Sequence, residues 1–236
     1  MKAWAKQSIK LIWGYWIFKM KEKNKTLNYT IWFIIILIIA IGAWIFIGDV
    51  NLGGNKITPY TTYNNYVIYE INDGNVLRYK VEAIANGGMK YIHNFRNYPS
   101  DLLDLNYEDP QSIKEKLLYK DTSTSIRKDK IYFSYNPDMD GAEILTAGTL
   151  VQILGNSNAG IFKIPVVIAF SEDSSNEDFP MKTCSDATKE IGIIELRYGE
   201  PKLYLEGDCI VIQGENREDF IKYNDLLSYI LLGVIG

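Results

Sequence analysis

The chain has 236 residues with 25 lysines plus arginines, 29 aspartates plus glutamates, one histidine and two cysteines. A single histidine excludes the usual multi-histidine metal centres, and the sequence carries no GxSxG, HExxH, P-loop or GxGxxG pattern. The charge is split: residues 1–25 hold seven lysines against Glu22, a net of +6, while residues 49–236 hold 18 basic and 28 acidic residues, a net of −10. An acidic main portion offers no electrostatic footprint for nucleic acid, so that class is set aside.

Taken in order, residues 1–28 form a basic amphipathic segment. Lys2, Lys6 and Lys10 share one helical face, whereas Trp4, Leu11, Tyr15 and Phe18 share another. A basic face opposite an aromatic one suits a helix lying in the membrane interface, or one docked on a partner protein. Residues 29–48 (YTIWFIIILIIAIGAWIFIG) are apolar throughout, and no charge falls between Lys25 and Asp49. Twenty residues at 1.5 Å rise span roughly 30 Å, the thickness of a bilayer's hydrocarbon core. Trp32 and Trp44 sit near its two ends, where indole rings favour the headgroup level and serve as anchors. The rival is a cleaved signal peptide, whose apolar core is usually 7–15 residues and which ends in small residues; a retained anchor fits better. The lysine-rich flank places the N-terminus in the cytoplasm and the acidic portion outside. Residues 49–65, with Gly53-Gly54, Pro59 and no apolar period, read as a linker.

Beyond the linker, residues 66–236 read as an extracytoplasmic α+β domain. Tyr66–Ile71, Val76–Ala85 and Met89–Arg96 are strand-like and separated by Asp73-Gly74 and Gly87-Gly88, an antiparallel meander. A helix is expected over Gln111–Lys120. Ile131–Tyr135 predicts a strand, Gly141–Leu154 a helix capped by Asp140 with Glu143 three residues on, and Ile164–Phe170 a strand buried on both faces. Strand, helix, strand at this spacing argues for a right-handed βαβ unit. Gly192–Tyr198, Lys202–Leu205 and Cys209–Gln213 read as a second meander. Asn216 then caps a C-terminal helix over Arg217–Leu232, with Phe220, Tyr223, Leu227, Ile230 and Leu231 as its buried stripe.

The outside location permits a disulfide between Cys184 and Cys209, the only two cysteines; two unpaired buried thiols are the alternative. His93 reads as an ordinary strand residue. Asp138 and Asp140 alternate with Asn136 before Gly141, as in a calcium loop, but position twelve of that pattern is Ala147, so a turn with Asp140 as helix cap is the plainer reading. The turn lies at the carboxyl end of a strand, where open α/β sheets bind ligands. Glu172, Asp173, Glu177 and Asp178 fall within ten residues, a set that could hold Ca²⁺ or stand as a solvated charged loop. Asp138, Asp140 and these four acids are thus the candidate cation or ligand site, with no catalytic residue and no other cofactor assigned.

The segments KIYFSYNPDMDGAEILTAG and IPVVIAF, the pair Cys184/Cys209 and the ending YLEGDCIVIQGENREDFIKYNDLLSYILLG resemble small single-span surface proteins of archaea. The likeness covers roughly residues 66–236. It implies location and topology, and transfers no functional residue. The expectation is therefore a non-catalytic, membrane-anchored binding or scaffolding protein of the cell envelope, its partners the lipid bilayer and another envelope or membrane protein. Two alternatives stand beside it: a tethered hydrolase using carboxylates or a divalent ion, and an accessory subunit of a membrane complex.

Overall fold

A computed structural model describes residues 58–74, 76–85, 88–156, 160–173 and 179–236. The expected span over 29–48 with Trp32 and Trp44, the basic segment 1–28 and most of the linker lie outside the described residues. Among those described, no helix is long and apolar enough to cross a membrane.

The segment read as linker ends in a strand. β1 (Thr58–Tyr63) pairs antiparallel with β2 (Tyr66–Asp73), which continues into β3 (Val76–Ile84) and β4 (Lys90–Phe95) in the order β1-β2-β3-β4. Asn64 and Asn65 take positive φ, 44° and 68°, in the first turn, a conformation asparagine tolerates better than most residues. The first strand escaped the sequence reading because TPYTTY is polar and short of apolar alternation. Inward positions of the meander are Ile68, Val81, Ala83, His93 and Phe95, all buried.

A 3₁₀ turn (Pro99–Leu102) leads to helix α1 (Pro110–Leu118), whose first turn is capped by the Asp109 carboxylate accepting from Ser112 N at 2.7 Å. A small hairpin, β5 (Tyr119–Asp121) and β6 (Ile126–Arg127), precedes β7 (Lys130–Tyr135). The helix expected over 141–154 is broken into α2 (Gly141–Ile144), a 3₁₀ turn (Leu145–Ala147) and α3 (Gly148–Leu154). β8 (Val166–Phe170) then pairs parallel with β7, the pairing a βαβ unit requires.

β9 (Ile191–Tyr198), β10 (Lys202–Glu206) and β11 (Cys209–Gly214) complete a five-stranded sheet ordered β10-β11-β9-β7-β8. This corrects the second meander. β10 and β11 form the antiparallel hairpin, but β11 inserts between β10 and β9 and runs parallel to β9. The connection 199–201 therefore crosses two strand spacings, roughly 10 Å, within reach of a three-residue link. It passes so close to β11 that a Cβ on Gly199, at φ 148°, would stand 1.9 Å from Gln213 Nε2.

The last helix, α4 (Arg217–Leu232), has the expected bounds and its Asn216 cap, which accepts from Glu218 N and Asp219 N. It is buried on more than a stripe: Phe220, Ile221 and every residue from Tyr223 to Leu232 are buried. The reason is its position between the sheets. It packs on β11 on one side, and on the other Tyr229 stacks on Phe95 of β4 at 4.1 Å while its hydroxyl donates to Asn97 O. Tyr66 OH also donates to Leu232 O, tying the meander to the helix end. The molecule is α+β, with a helical layer between an antiparallel and a mixed sheet.

Candidate functional site

The most distinctive cleft, of about 430 Å³, opens between the edge strand β4, helix α3 and the first half of α4. Its origin is periodicity. In the meander, alternate residues face opposite sides, so while Val81, His93 and Phe95 point into the core, Arg78 on β3, Asn94 on β4 and Arg96 just past β4 turn to the other side. On α4 the spacing of four aligns Arg217, Ile221 and Asp225 along one line of the helix, and all three border the cleft. α3 contributes Thr149 and Gln152, and is held to the strand edge by Thr149 Oγ1 donating to Asn94 O at 3.1 Å.

Three of the chain's five arginines meet here, and none of their guanidinium groups is in a salt bridge or hydrogen bond among the described residues. Arg78 Nε is buried without a hydrogen-bond partner. The other two arginines are committed to structure. Arg127 donates to Phe162 O, and Arg197 bridges Glu195 and Glu206, each at 2.6 Å.

Asp225 lies at the cleft floor. Its Oδ2 accepts from Arg96 N (2.9 Å), Asn97 N (3.0 Å) and Asn97 Nδ2 (2.9 Å), so it fixes the corner that carries Arg96. Burial pushes its carboxyl up to about 6, despite the three donors and the nearby Arg96 that favour the charged form.

A second cleft, of about 560 Å³, lies where α1 and β5 meet residues 189 and 208. It is lined by Lys116, Lys120, Lys128 and Lys189 with Glu115, Asp121 and Asp208. Its cations are mostly spoken for. Lys116 pairs with Asp208, Lys120 with Asp129 at 2.5 Å, and the buried Lys128 Nζ donates to Thr188 O (2.5 Å) and Lys189 O (3.2 Å). Burial lowers the Lys128 ammonium, and the Lys116 bond holds Asp208 below the usual carboxylate range.

The acids singled out from sequence behave differently. Asp138 sits in the turn after β7, where its N–H donates to Asn136 Oδ1, and its carboxylate is exposed. Asp140 caps α2 by accepting from Ala142 N at 3.0 Å. The reciprocal half of the expected capping box does not form, because Glu143 turns instead to accept from Tyr198 OH. Glu172 and Asp173 are exposed beyond β8, and Glu177 and Asp178 lie outside the described residues. Among the described residues, the single group of His, Cys, Asp or Glu ligand atoms within 4.8 Å of one another is Cys184, Glu195 and Cys209. Its two sulfurs are bonded to each other, as expected, and Glu195 is used by Cys184 N (2.8 Å) and Arg197. The candidate acids are not gathered into a cation site by these residues. His93 is buried with neither ring nitrogen hydrogen-bonded, and burial lowers its pKa.

No protein-family model matches this chain, and no curated protein or solved structure was found to match it.

The arginine cleft was missed by sequence reasoning. Two signals existed: the spacing of four that lines up Arg217, Ile221 and Asp225 on one helix, and the arginines at outward positions of the meander. Neither says that α4 and the β4 edge adjoin, which only the tertiary fold supplies.

Proposed function

We propose that this chain is a membrane-anchored binding protein of the cell envelope, with residues 1–28 inside and the α+β domain outside, and that binding is its whole task. The observation that carries the reading is the arginine cleft, a concave surface rich in unpaired donors. Recognition needs such donors, whereas acid–base or nucleophilic catalysis needs a positioned base beside a reacting group. The closed Cys184–Cys209 bond is in keeping with an outside location, as is the lysine excess on the flank of the apolar run. The hydrolase alternative is the less supported, since Asp138 lies in a turn, Asp140 caps α2, and neither belongs to a group of metal-ligand atoms among the described residues.

The test has two arms. Protease added to intact cells should remove an epitope at Gly236 and spare one at Met1; the reverse overturns the topology. The purified chain should retain a saturable envelope component and lose it when Arg78, Arg96 and Arg217 are all replaced by glutamine. Retention unaffected by that change, or turnover of the retained component, overturns the binding reading.

A further inference from the structure

We infer that the arginine cleft takes an oxyanion carried on a hydroxylated body, in the class of an acidic saccharide unit; this deepens the binding reading given above and rests on it. The charge argument comes first. Residues 49–236 carry a net of −10, yet three arginines line one concavity with Asp225 as the sole carboxylate on its lining. Like charges gathered without counter-ions repel, and the planar donor fork of arginine matches phosphate, sulfate and carboxylate oxygens in pairs. Arg78 adds a specific cost, because its buried Nε–H has lost water and gained no acceptor. An oxyanion oxygen at that position would restore the bond.

The rest of the lining sets the body of the ligand. Asn94 and Gln152 bring carboxamides, each able both to donate and to accept, which is what sugar hydroxyls require. The volume of about 430 Å³ lies in the range of small-molecule sites and exceeds what a bare inorganic anion fills. Ile221 and Leu145 supply the apolar surface on which a ring face can rest. Thr146 and Thr149 are already engaged, the first with Glu143 O and Asn224, the second with Asn94 O, so they shape the wall rather than bind. The lysine cleft serves as internal control, for Lys116, Lys120 and Lys128 already have partners there.

The experiment uses the full chain in nanodiscs of zwitterionic lipid, so that no anionic headgroup competes. Melting temperature is followed against glucose 6-phosphate, glucuronate, inorganic phosphate and glucose. A saturable rise is expected with the first two, a rise needing at least tenfold more ligand with inorganic phosphate, and none with glucose. Raising salt should weaken the effect, as for partly exposed charges. Arg78→Gln plus Arg96→Gln should weaken glucose 6-phosphate binding at least tenfold, Arg78→Lys should weaken it less, and Lys120→Gln in the other cleft should leave it unchanged. The ligand-free melting temperature of each variant shows that it folds. No saturable rise with any anion, or one that survives the double arginine variant, overturns the site. Equal potency of inorganic phosphate overturns the saccharide body. Each leaves the protease mapping untouched, so failure of the ligand and failure of the topology are read separately.

Discussion

The two clefts carry similar numbers of cations and opposite arrangements of them. Around Lys116, Lys120 and Lys128 each ammonium meets a carboxylate or a pair of carbonyls, so the charges are part of the scaffold. Around Arg78, Arg96 and Arg217 no such partner stands within hydrogen-bonding range among the described residues, and the one carboxylate lining the cleft accepts from Arg96 N, Asn97 N and Asn97 Nδ2. Charge count does not separate a binding site from a brace; the disposition of partners does.

The largest expected effect breaks the arginine cleft from beneath. Asp225→Ala leaves Arg96 N, Asn97 N and Asn97 Nδ2 without their shared acceptor in a buried place, and should cost about 3 kcal/mol or more. Thermal unfolding should show a fall of roughly ten degrees. A loss below about 1 kcal/mol would mean that water reaches those donors and that the corner is not braced by this residue.

Next in size is the disulfide, which braces the side of the molecule near the lysine cleft. Cys184 opens a 3₁₀ turn (Cys184–Asp186) with a Thr183/Asp186 capping box, and Cys209 opens β11. A cross-link over 25 residues is worth roughly 3 kcal/mol by loop closure. Yet the connection between β8 and β9 has other ties: Lys128 holds residues 188 and 189, Ser134 Oγ donates to Lys182 O, and Lys182 N donates to Phe170 O at 2.7 Å. Cys184→Ser plus Cys209→Ser should therefore lower the melting temperature by several degrees and keep the fold, as judged by circular dichroism. Adding Lys128→Met should cost a further ~2 kcal/mol by stranding two carbonyls. If the triple change costs no more than the double, the lysine brace is idle.

How much of this was legible beforehand follows from which signals are local. The C-terminal helix is legible to its ends because Asn216 and the apolar period are local, and three of the four meander strands are legible through Asp73-Gly74 and alternation, while the polar β1 is not. Mispairing of β9 and β11 came from letting Gly199-Glu200-Pro201 and Glu206-Gly207-Asp208 both stand for hairpins. A contrary sign was present in CIVIQ, a nearly continuous apolar run as strands buried on both faces are, whereas KLYLE alternates like the edge strand it is; GIIELRY, with Glu195 and Arg197 at alternate positions, carried no such sign. The burial of Asp225 is not legible in the helix's own sequence, because a carboxylate inside is costly unless donors converge on it, and those donors come from residues 96 and 97. The acidic stretch 171–180 attracted attention by density alone, which measures solvation as readily as ligation.

A pH titration sharpens the contrast between two buried groups, Asp225 on α4 and His93 on β4. Asp225 titrates near 6 in the folded chain and near the ordinary 3.8 when unfolded. Its contribution is fully present below 3.8 and is lost as pH rises through 6, by up to about 3 kcal/mol. His93 is lowered from 6.5 by burial, so its contribution is present above 6.5 and is lost as pH falls. The two slopes oppose each other where the windows overlap, below about pH 6. Urea midpoints of Asp225→Asn should fall toward acid, and those of His93→Leu should rise toward acid, each relative to the parent chain. Parallel curves for all three would show that neither group titrates as its burial requires.

The smallest effect is the most direct comparison of the two clefts. Lys120→Gln leaves Asp129 without its partner at an exposed position, where such pairs are worth about 0–1 kcal/mol, so a slight loss of stability is expected. At pH 5, where Asp225 is mostly protonated and its attraction for Arg96 is largely gone, Arg96→Gln removes a guanidinium that has no salt bridge or hydrogen bond among the described residues, so a slight gain of about a few tenths of a kcal/mol is expected. Both shifts are electrostatic and should shrink together as ionic strength rises toward 1 M, where the screening length is about 3 Å. The signs matter more than the sizes. A destabilising Arg96→Gln that resists salt would mean that the guanidinium packs as structure, and the arginine cleft would then be a brace like its neighbour rather than a place for a ligand.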